Sequence, residues 1–449
     1  MKDLTVGKEG KLIMQFAMPM VYGNVFQQLY NVVDSIVIGH YIGKEALAAV
    51  GASFPIIFLL VSLVIGLGMG FTIIISQYFG AKDIEKVKQT IDTTYIILFF
   101  ASLIATVVGM TLSGPIFSLT GLPGDVLPQA KIYLTIYFAG SVFFFGFNGT
   151  TAILRGLGDS KTPLIFLIIS TITNVLLDLL FVVEFGWGIA GAAWATVFSQ
   201  AGAFVTAIIY LNKRHPIMNV SFRKYHFNRE IFKTSLRIGL PTGMQQMFVA
   251  AGLIALYGIV NKFGTATIAA YSVANRIDSF ASLLAMNFAA ALSSFVGQNI
   301  GANKHERVRA GLKATWLITS AISLLFSVIV ILFGKNLMGF FTPDPLVKDI
   351  GNDYLVIVGS FYILFSSLFV VNAVMRGAGD TLIPMFITLI ALWLIRVPVS
   401  YILAGQIGVS GIWWAVPIGW GVGMILTFIY YLSGKWKTKG LIKHEKKVA

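Results

Sequence analysis

The sequence predicts an all-α integral membrane protein: twelve transmembrane helices in two parallel six-helix bundles, related by pseudo-two-fold symmetry along the membrane normal. Three observations predict this. Of 449 residues, 57% are hydrophobic and 12% charged, with a mean hydropathy of +0.82, so repeated apolar runs of about 18 residues or more are membrane spans and not soluble core helices. Those runs, counted between charged or Gly/Pro breaks, number twelve. Motifs of the first half recur in the second at a constant spacing.

In order, the spans fall at 12–39, 46–78, 91–113, 129–153, 163–183, 189–211, 238–260, 265–297, 314–334, 350–375, 382–404 and 409–433. The first follows "MKDLTVGKEGK"; no small-residue cleavage site succeeds its apolar run, so it is expected to be retained. Pro19 lies within it, where it removes a backbone donor and crowds the carbonyl of Gln15, predicting a kink. The fourth ends just before Arg155, which counts among the loop charges, and the fifth opens at Pro163, a residue tolerated in a first helical turn. The sixth ends before a basic connector, "LNKRHPIMNVSFRKYHFNREIFKTSLR". The expected division is therefore an N-terminal lobe at 1–211, a connector at 212–237, a C-terminal lobe at 238–434 and a basic tail at 435–449.

Basic residues set the orientation. Most of the 33 lysines and arginines fall in the N-terminal segment, the connector, the tail and alternate loops, whereas the opposite loops hold Lys44, Lys131, Lys262, Lys335 and Lys348. The positive-inside rule then makes both termini cytoplasmic, in a multi-pass protein of the cell's inner (plasma) membrane. The formal charge of +14 lies between spans and forms no basic face of a soluble domain, which argues against a nucleic-acid partner. With no cysteine, disulfides and thiol chemistry are excluded.

"RGLGDSKTP" from Arg155 returns as "RGAGDTLIP" from Arg376, an offset of 221, and "SQYFGA" returns as "GQNIGA", matching Gln77 to Gln298 and Gly80 to Gly301. Six spans per repeat is an even number, so both repeats start on the same side and are parallel. Such paired halves place a substrate path near the midplane.

An ionised residue at the bilayer centre costs roughly 2.5–3.5 kcal/mol on insertion scales, so each intramembrane acid calls for a role. In span 1, Asn24, Gln27, Gln28 and Asn31 precede Asp34 at helical steps and predict one polar stripe. Span 5 has Asn174 and Asp178 at i, i+4, on one face. Span 6 adds Thr196; span 4 adds Tyr133, Tyr137 and Asn148. Carboxylate, amide and hydroxyl oxygens suit a small hard cation such as sodium, and the same carboxylates can take protons. The "NGT" at Asn148 lies within a span and is no glycosylation acceptor. The second half lacks the acids: Ala255 stands opposite Asp34 and Val399 opposite Asp178. It has instead Arg276, Asp278 and Arg396, with Asp278 and Arg396 expected to form a buried ion pair.

The duplicated twelve-span plan, Pro19 and Asp34 of span 1, "RGLGDSKTP" after span 4, and Asn174 and Asp178 of span 5 together resemble the MATE family of multidrug and toxin extrusion antiporters, most closely its DinF-type branch. The resemblance covers nearly the whole chain. It implies an N-lobe cation site at Asp34, Asn174, Asp178 and Thr196, with Gln28, Asn31, Tyr133, Tyr137 and Asn148 as candidate lining of a substrate cavity. The NorM-type branch carries further acids where this chain has Val249 and "FSSLFVVNAVM", so a second-lobe cation site is not expected. The implied activity is export of organic cations or other amphiphiles, driven by inward sodium or protons, by a monomer in the lipid bilayer without a cofactor. Two alternatives were weighed. A lipid-linked precursor flippase should line its cavity with several cations, but within spans only Arg276 and Arg396 are found. A membrane hydrolase needs an intramembrane base or metal, yet His40, His215, His226, His305 and His444 all fall in loops or at helix ends.

Overall fold

The computed structural model describes residues 2–120, 124–214, 217 and 226–442. Among these every regular element is helical. The first half contains α1 (Glu9–Val37), α2 (Lys44–Gly80), α3 (Ile84–Thr120), α4 (Leu127–Ala139), α5 (Ser141–Gly156), α6 (Lys161–Asp178) and α7 (Gly188–Arg214). The second contains α8 (Arg229–Val260), α9 (Thr265–Gly301), α10 (His305–Gly339), α11 (Pro345–Gly359), α12 (Tyr362–Gly377), α13 (Leu382–Leu389), α14 (Val397–Ile407) and α15 (Val409–Leu432). Of the basic connector, residues 215, 216 and 218–225 lie outside the described residues, His215 among them; so do 443–449 of the tail, with His444.

Among the described residues, nine helical segments are long and apolar enough to cross a membrane singly, and two bent pairs, α4 with α5 and α11 with α12, add one span each. The twelfth is α1. Its 29 residues exceed what a hydrocarbon core of ~30 Å requires at ~1.5 Å per residue, and its amides and Asp34 are what lower its hydropathy. The fourth and tenth spans, expected as straight, bend by 52° and 48°. At the first break the glycine has a packing reason: a Cβ at Gly140 would stand 2.4 Å from Val197, so α7 comes close where α4 gives way to α5. Apolar side chains such as Ile104 and Val107 of α3 and Leu324 and Leu332 of α10 are exposed, as lipid-facing surfaces require.

The chain divides into two compact units. One holds Met18–Leu240; the other holds Asp3–Ala17 and residues from Pro241 onward. In the second unit the N-terminal residues are strapped to α9 and α10: the Leu4 amide donates to Gln298 Oε1 at 2.9 Å, and Arg307 donates to Glu9 Oε1 at 2.7 Å and to the Gly7 carbonyl at 2.8 Å.

The duplication extends to single hydrogen bonds. Thr72 Oγ1 donates to the Ala152 carbonyl at 2.9 Å in the first unit, and Ser293 Oγ to the Ala373 carbonyl at 2.8 Å in the second. The two non-glycine residues with positive φ among those described, Lys82 (61°) and Asn303 (58°), are also equivalents. At the end of each RG motif a glycine lets two helices touch: a Cβ at Gly156 would meet Ile75 at 2.8 Å, and one at Gly377 would meet the Ser293 carbonyl oxygen at 2.5 Å. A backbone oxygen cannot move aside as a side chain can. Gly377→Ala should therefore cost about 1–3 kcal/mol and lower the thermal midpoint of the detergent-solubilised protein. Gly202→Ala, with nothing within 4 Å of the added carbon, should leave the midpoint unchanged or raise it.

Candidate functional site

Three helices of the first unit bring the site together. On α1, Tyr30 and Asp34 are one turn apart and share a face. On α6, Asn174 and Asp178 do the same. Directly beyond the acids both helices switch to π turns, Ile38–Ile42 after α1 and Leu179–Glu184 after α6, which interrupt the regular backbone ladder and are frequent at functional sites. From α7 comes Thr196.

All four residues expected to hold the cation are buried: Asp34 is 8% exposed, Asn174 1%, Asp178 0% and Thr196 6%. Asn174, with its amide oriented to suit its neighbours, donates to Asp178 Oδ2 at 2.9 Å and accepts from the Thr196 amide at 3.1 Å. The Tyr30 hydroxyl lies 3.1 Å from Thr196 Oγ1. The carboxyl groups of Asp34 and Asp178 are within hydrogen-bonding reach of each other. Asp34 Oδ1 and Asp178 Oδ1 are buried without any hydrogen-bond partner. Two adjacent buried carboxylates, each with an oxygen that no protein group satisfies, are unstable as two bare anions. A shared proton or a small hard cation in contact with both oxygens resolves the conflict.

Next to this pair lies a cavity of about 110 Å³. Pro19, Asn24, Gln27 and Tyr30 of α1 form one side, and Asn148 and Arg155 of α5 another. Asn174 of α6 and Gln200 of α7 add further polar groups, together with hydroxyls such as Thr151, Ser170 and Ser199. Tyr30 and Asn174 thus belong to both the cavity wall and the carboxylate site, whereas Asp34 and Asp178 do not line the cavity.

The remaining candidate residues are placed as follows. Asn148 lines the cavity and donates to the Phe144 carbonyl at 2.9 Å. Tyr133 and Tyr137 stack on each other, centroids 6.3 Å apart, and neither reaches the cavity. Gln28 and Asn31 are exposed and also lie off its wall. Helix geometry explains the difference from Gln27: at ~100° per residue Gln27 lies within ~20° of Asp34 around α1, and Gln28 is ~120° away. Pro19 sits inside an α1 that runs uninterrupted from Glu9 to Val37. The expected Asp278–Arg396 ion pair is corrected: no such pair within 4.0 Å occurs among the described residues. Asp278 Oδ2 instead accepts from the Tyr354 hydroxyl at 3.5 Å. Tyr30, Arg155 and Gln200 were not anticipated. The i, i+4 step from Tyr30 to Asp34 is a usable signal in the sequence; Arg155, at the end of a span, reads there as a loop charge.

The MatE family model matches residues 19–180 and 241–402, one copy in each half. The chain belongs to the MatE family. Membership makes it a membrane transporter and not an enzyme. It is 32% identical to the probable multidrug resistance protein YoeA of Bacillus subtilis (strain 168), over 95% of this chain and 94% of that one. It is also 32% identical to the probable multidrug resistance protein YpnP of the same organism, over 98% of each. Among solved structures, MATE in the bent conformation superposes with a TM-score of 0.91 at 26% identity, covering 97% of this chain and 98% of that one.

The geometry around Asp278 is testable by double-mutant cycles on thermal stability. Asp278→Asn combined with Arg396→Gln should show a coupling below about 0.5 kcal/mol, and Asp278→Asn with Tyr354→Phe about 0.5–1.5 kcal/mol. The reverse order would restore the ion pair.

Proposed function

We propose that this MatE-family transporter is a secondary active antiporter that exports amphiphilic compounds in exchange for sodium ions or protons moving inward. The observation that carries the proposal is the shared wall: Asn174 donates to Asp178 of the orphaned Asp34/Asp178 pair, Tyr30 reaches the Thr196 hydroxyl beside it, and both Asn174 and Tyr30 line the cavity. Occupancy of the carboxylate pair changes the hydrogen bonds open to Asn174, and through it the polarity and shape of the cavity. Ion and substrate therefore bias one another, which is what coupling requires. The multidrug-resistance names of the relatives support drug-like substrates. One positive charge moving inward through 100 mV supplies about 2.3 kcal/mol, enough to shift the balance of export.

The ion is cargo in this cycle. Asp34 Oδ1 and Asp178 Oδ1 would contact it directly, with the hydroxyls of Tyr30 and Thr196 beside them. A single chain suffices, because pair and cavity are both built from one unit. Both termini are placed on the cytoplasmic side of the plasma membrane. The flippase alternative gains nothing from the cavity, whose lining holds one cation where a lipid-linked pyrophosphate would call for several.

Asp34→Asn and Asp178→Asn should each reduce gradient-driven efflux from inverted vesicles to the level of empty vesicles, with normal insertion and folding. Parental efflux in both variants would make the pair architectural. Because the chain has no cysteine, orientation is open to single-cysteine labelling. A cysteine replacing Lys44 should react with an impermeant thiol reagent in intact cells, and one replacing Lys437 should be shielded. Reversed labelling would overturn the orientation and the direction of transport.

A further inference from the structure

We infer that the cavity of the first unit accepts the anionic head group of an amphiphile, a carboxylate or phosphate, and that Arg155 binds it. This rests on the export reading above and deepens it by naming the substrate class. Arg155 alone among the lining residues carries a formal charge. No acid faces the cavity, since Asp34 and Asp178 stand behind Tyr30 and Asn174. An organic cation would find there no charge to oppose its own and one that repels it.

The guanidinium is also uncommitted. Arg155 Nε is buried without a hydrogen-bond partner, and no ion pair involves Arg155 among the described residues. Asp159, the acid one turn on, is engaged: its Oδ1 accepts from the amides of Lys161 (3.1 Å) and Thr162 (3.0 Å), and its Oδ2 from Thr162 Oγ1 at 2.7 Å. A half-buried guanidinium whose Nε is out of water and has no anion beside it is costly, and a planar fork of donors fits carboxylate and phosphate alike. Gln200 adds a second unpartnered polar atom, Oε1, in the same cavity. Asn148 and Arg155 stand about 10 Å apart along α5, and the wall also includes Phe147, Leu164 and Leu167, suited to the start of an apolar body. At about 110 Å³ the space is smaller than the ~300–1,000 Å³ of drug-sized pockets, so it takes the head and not the whole molecule.

The duplication supplies a control. Arg376, the equivalent of Arg155, likewise has a buried Nε without a partner, but does not line this cavity. A purely architectural need of the RG motif would affect both arginines alike; ligand recognition singles out Arg155.

The test is equilibrium binding to the full-length, detergent-solubilised protein, read by fluorescence anisotropy, with no gradient present. The probes are rhodamine 19, which carries a free carboxylate, and rhodamine 6G, its ethyl ester. Arg155→Gln should weaken rhodamine 19 roughly tenfold or more, as loss of a charge-assisted contact does, and leave the cationic rhodamine 6G bound as tightly as before or more tightly. Arg376→Gln should alter neither. Arg155→Lys, which keeps the charge and loses the fork, should weaken rhodamine 19 by an intermediate factor and serves if the glutamine variant does not fold. Displacement of rhodamine 19 by dodecanoate, dodecyl phosphate or both supports the proposal and identifies the head group; displacement by neither overturns it. Equal losses for both dyes, or an unchanged rhodamine 19 affinity in Arg155→Gln and Arg155→Lys, also overturns it while leaving the export reading intact. Failure of the parent protein to bind either dye counts against both.

Discussion

Two aspartates buried side by side, each with an oxygen that nothing in the protein satisfies, are the constraint on which the rest of the structure depends. Neither burial nor like-charge proximity is tolerable for a pair of bare carboxylates. In the antiport proposed above, the pair is retained because an ion arriving from outside neutralises it. The neighbouring groups are arranged to respond: Asn174 is tied to Asp178 and to the Thr196 backbone, Tyr30 to the Thr196 hydroxyl, and both face the cavity. A change at the carboxylates is thereby a change at the substrate's wall. The π turns following both acid-bearing helices place irregular backbone next to this pair.

The scaffold is symmetric where it bears load and asymmetric where it does chemistry. Hydrogen bonds from Thr72 and Ser293, the positive-φ turns at Lys82 and Asn303, and the close contacts at Gly156 and Gly377 recur nearly unchanged in both halves. The acids do not recur. Ala255 and Val399 occupy their equivalents, and Arg396 supplies a fixed positive charge in that region of the second unit. Duplication kept the packing solution, and one copy kept the ion chemistry.

Much of this was legible in the sequence because membrane spans announce themselves: long apolar runs between charges located every span. The bends near Gly140 and Gly359 were not legible, since a glycine in an apolar run reads the same whether it permits a break or a close contact. The acids and Asn174 stood out by their cost in a bilayer, and their i, i+4 spacing placed them on shared faces. Gln28 and Gln27 are adjacent letters, and only the rotation of α1 relative to α6 and α7 separates the cavity-lining one from the other. Arg155 was hidden for a similar reason. At the end of a span, a charge facing a cytoplasmic loop and one turned into a cavity have the same sequence signature. Opposite charges in apolar surroundings suggest an Asp278–Arg396 pair, but a tyrosine hydroxyl, that of Tyr354, is what reaches Asp278.

Ion binding in the absence of any gradient tests the central claim most directly. Calorimetric titration of the solubilised protein with sodium at fixed pH, and with acid at fixed sodium, should show one saturable event per chain with at least one of the two ions. That event should vanish in both Asp34→Asn and Asp178→Asn and persist in Asp278→Asn. Retention of full stoichiometry in either of the first two variants would contradict the account.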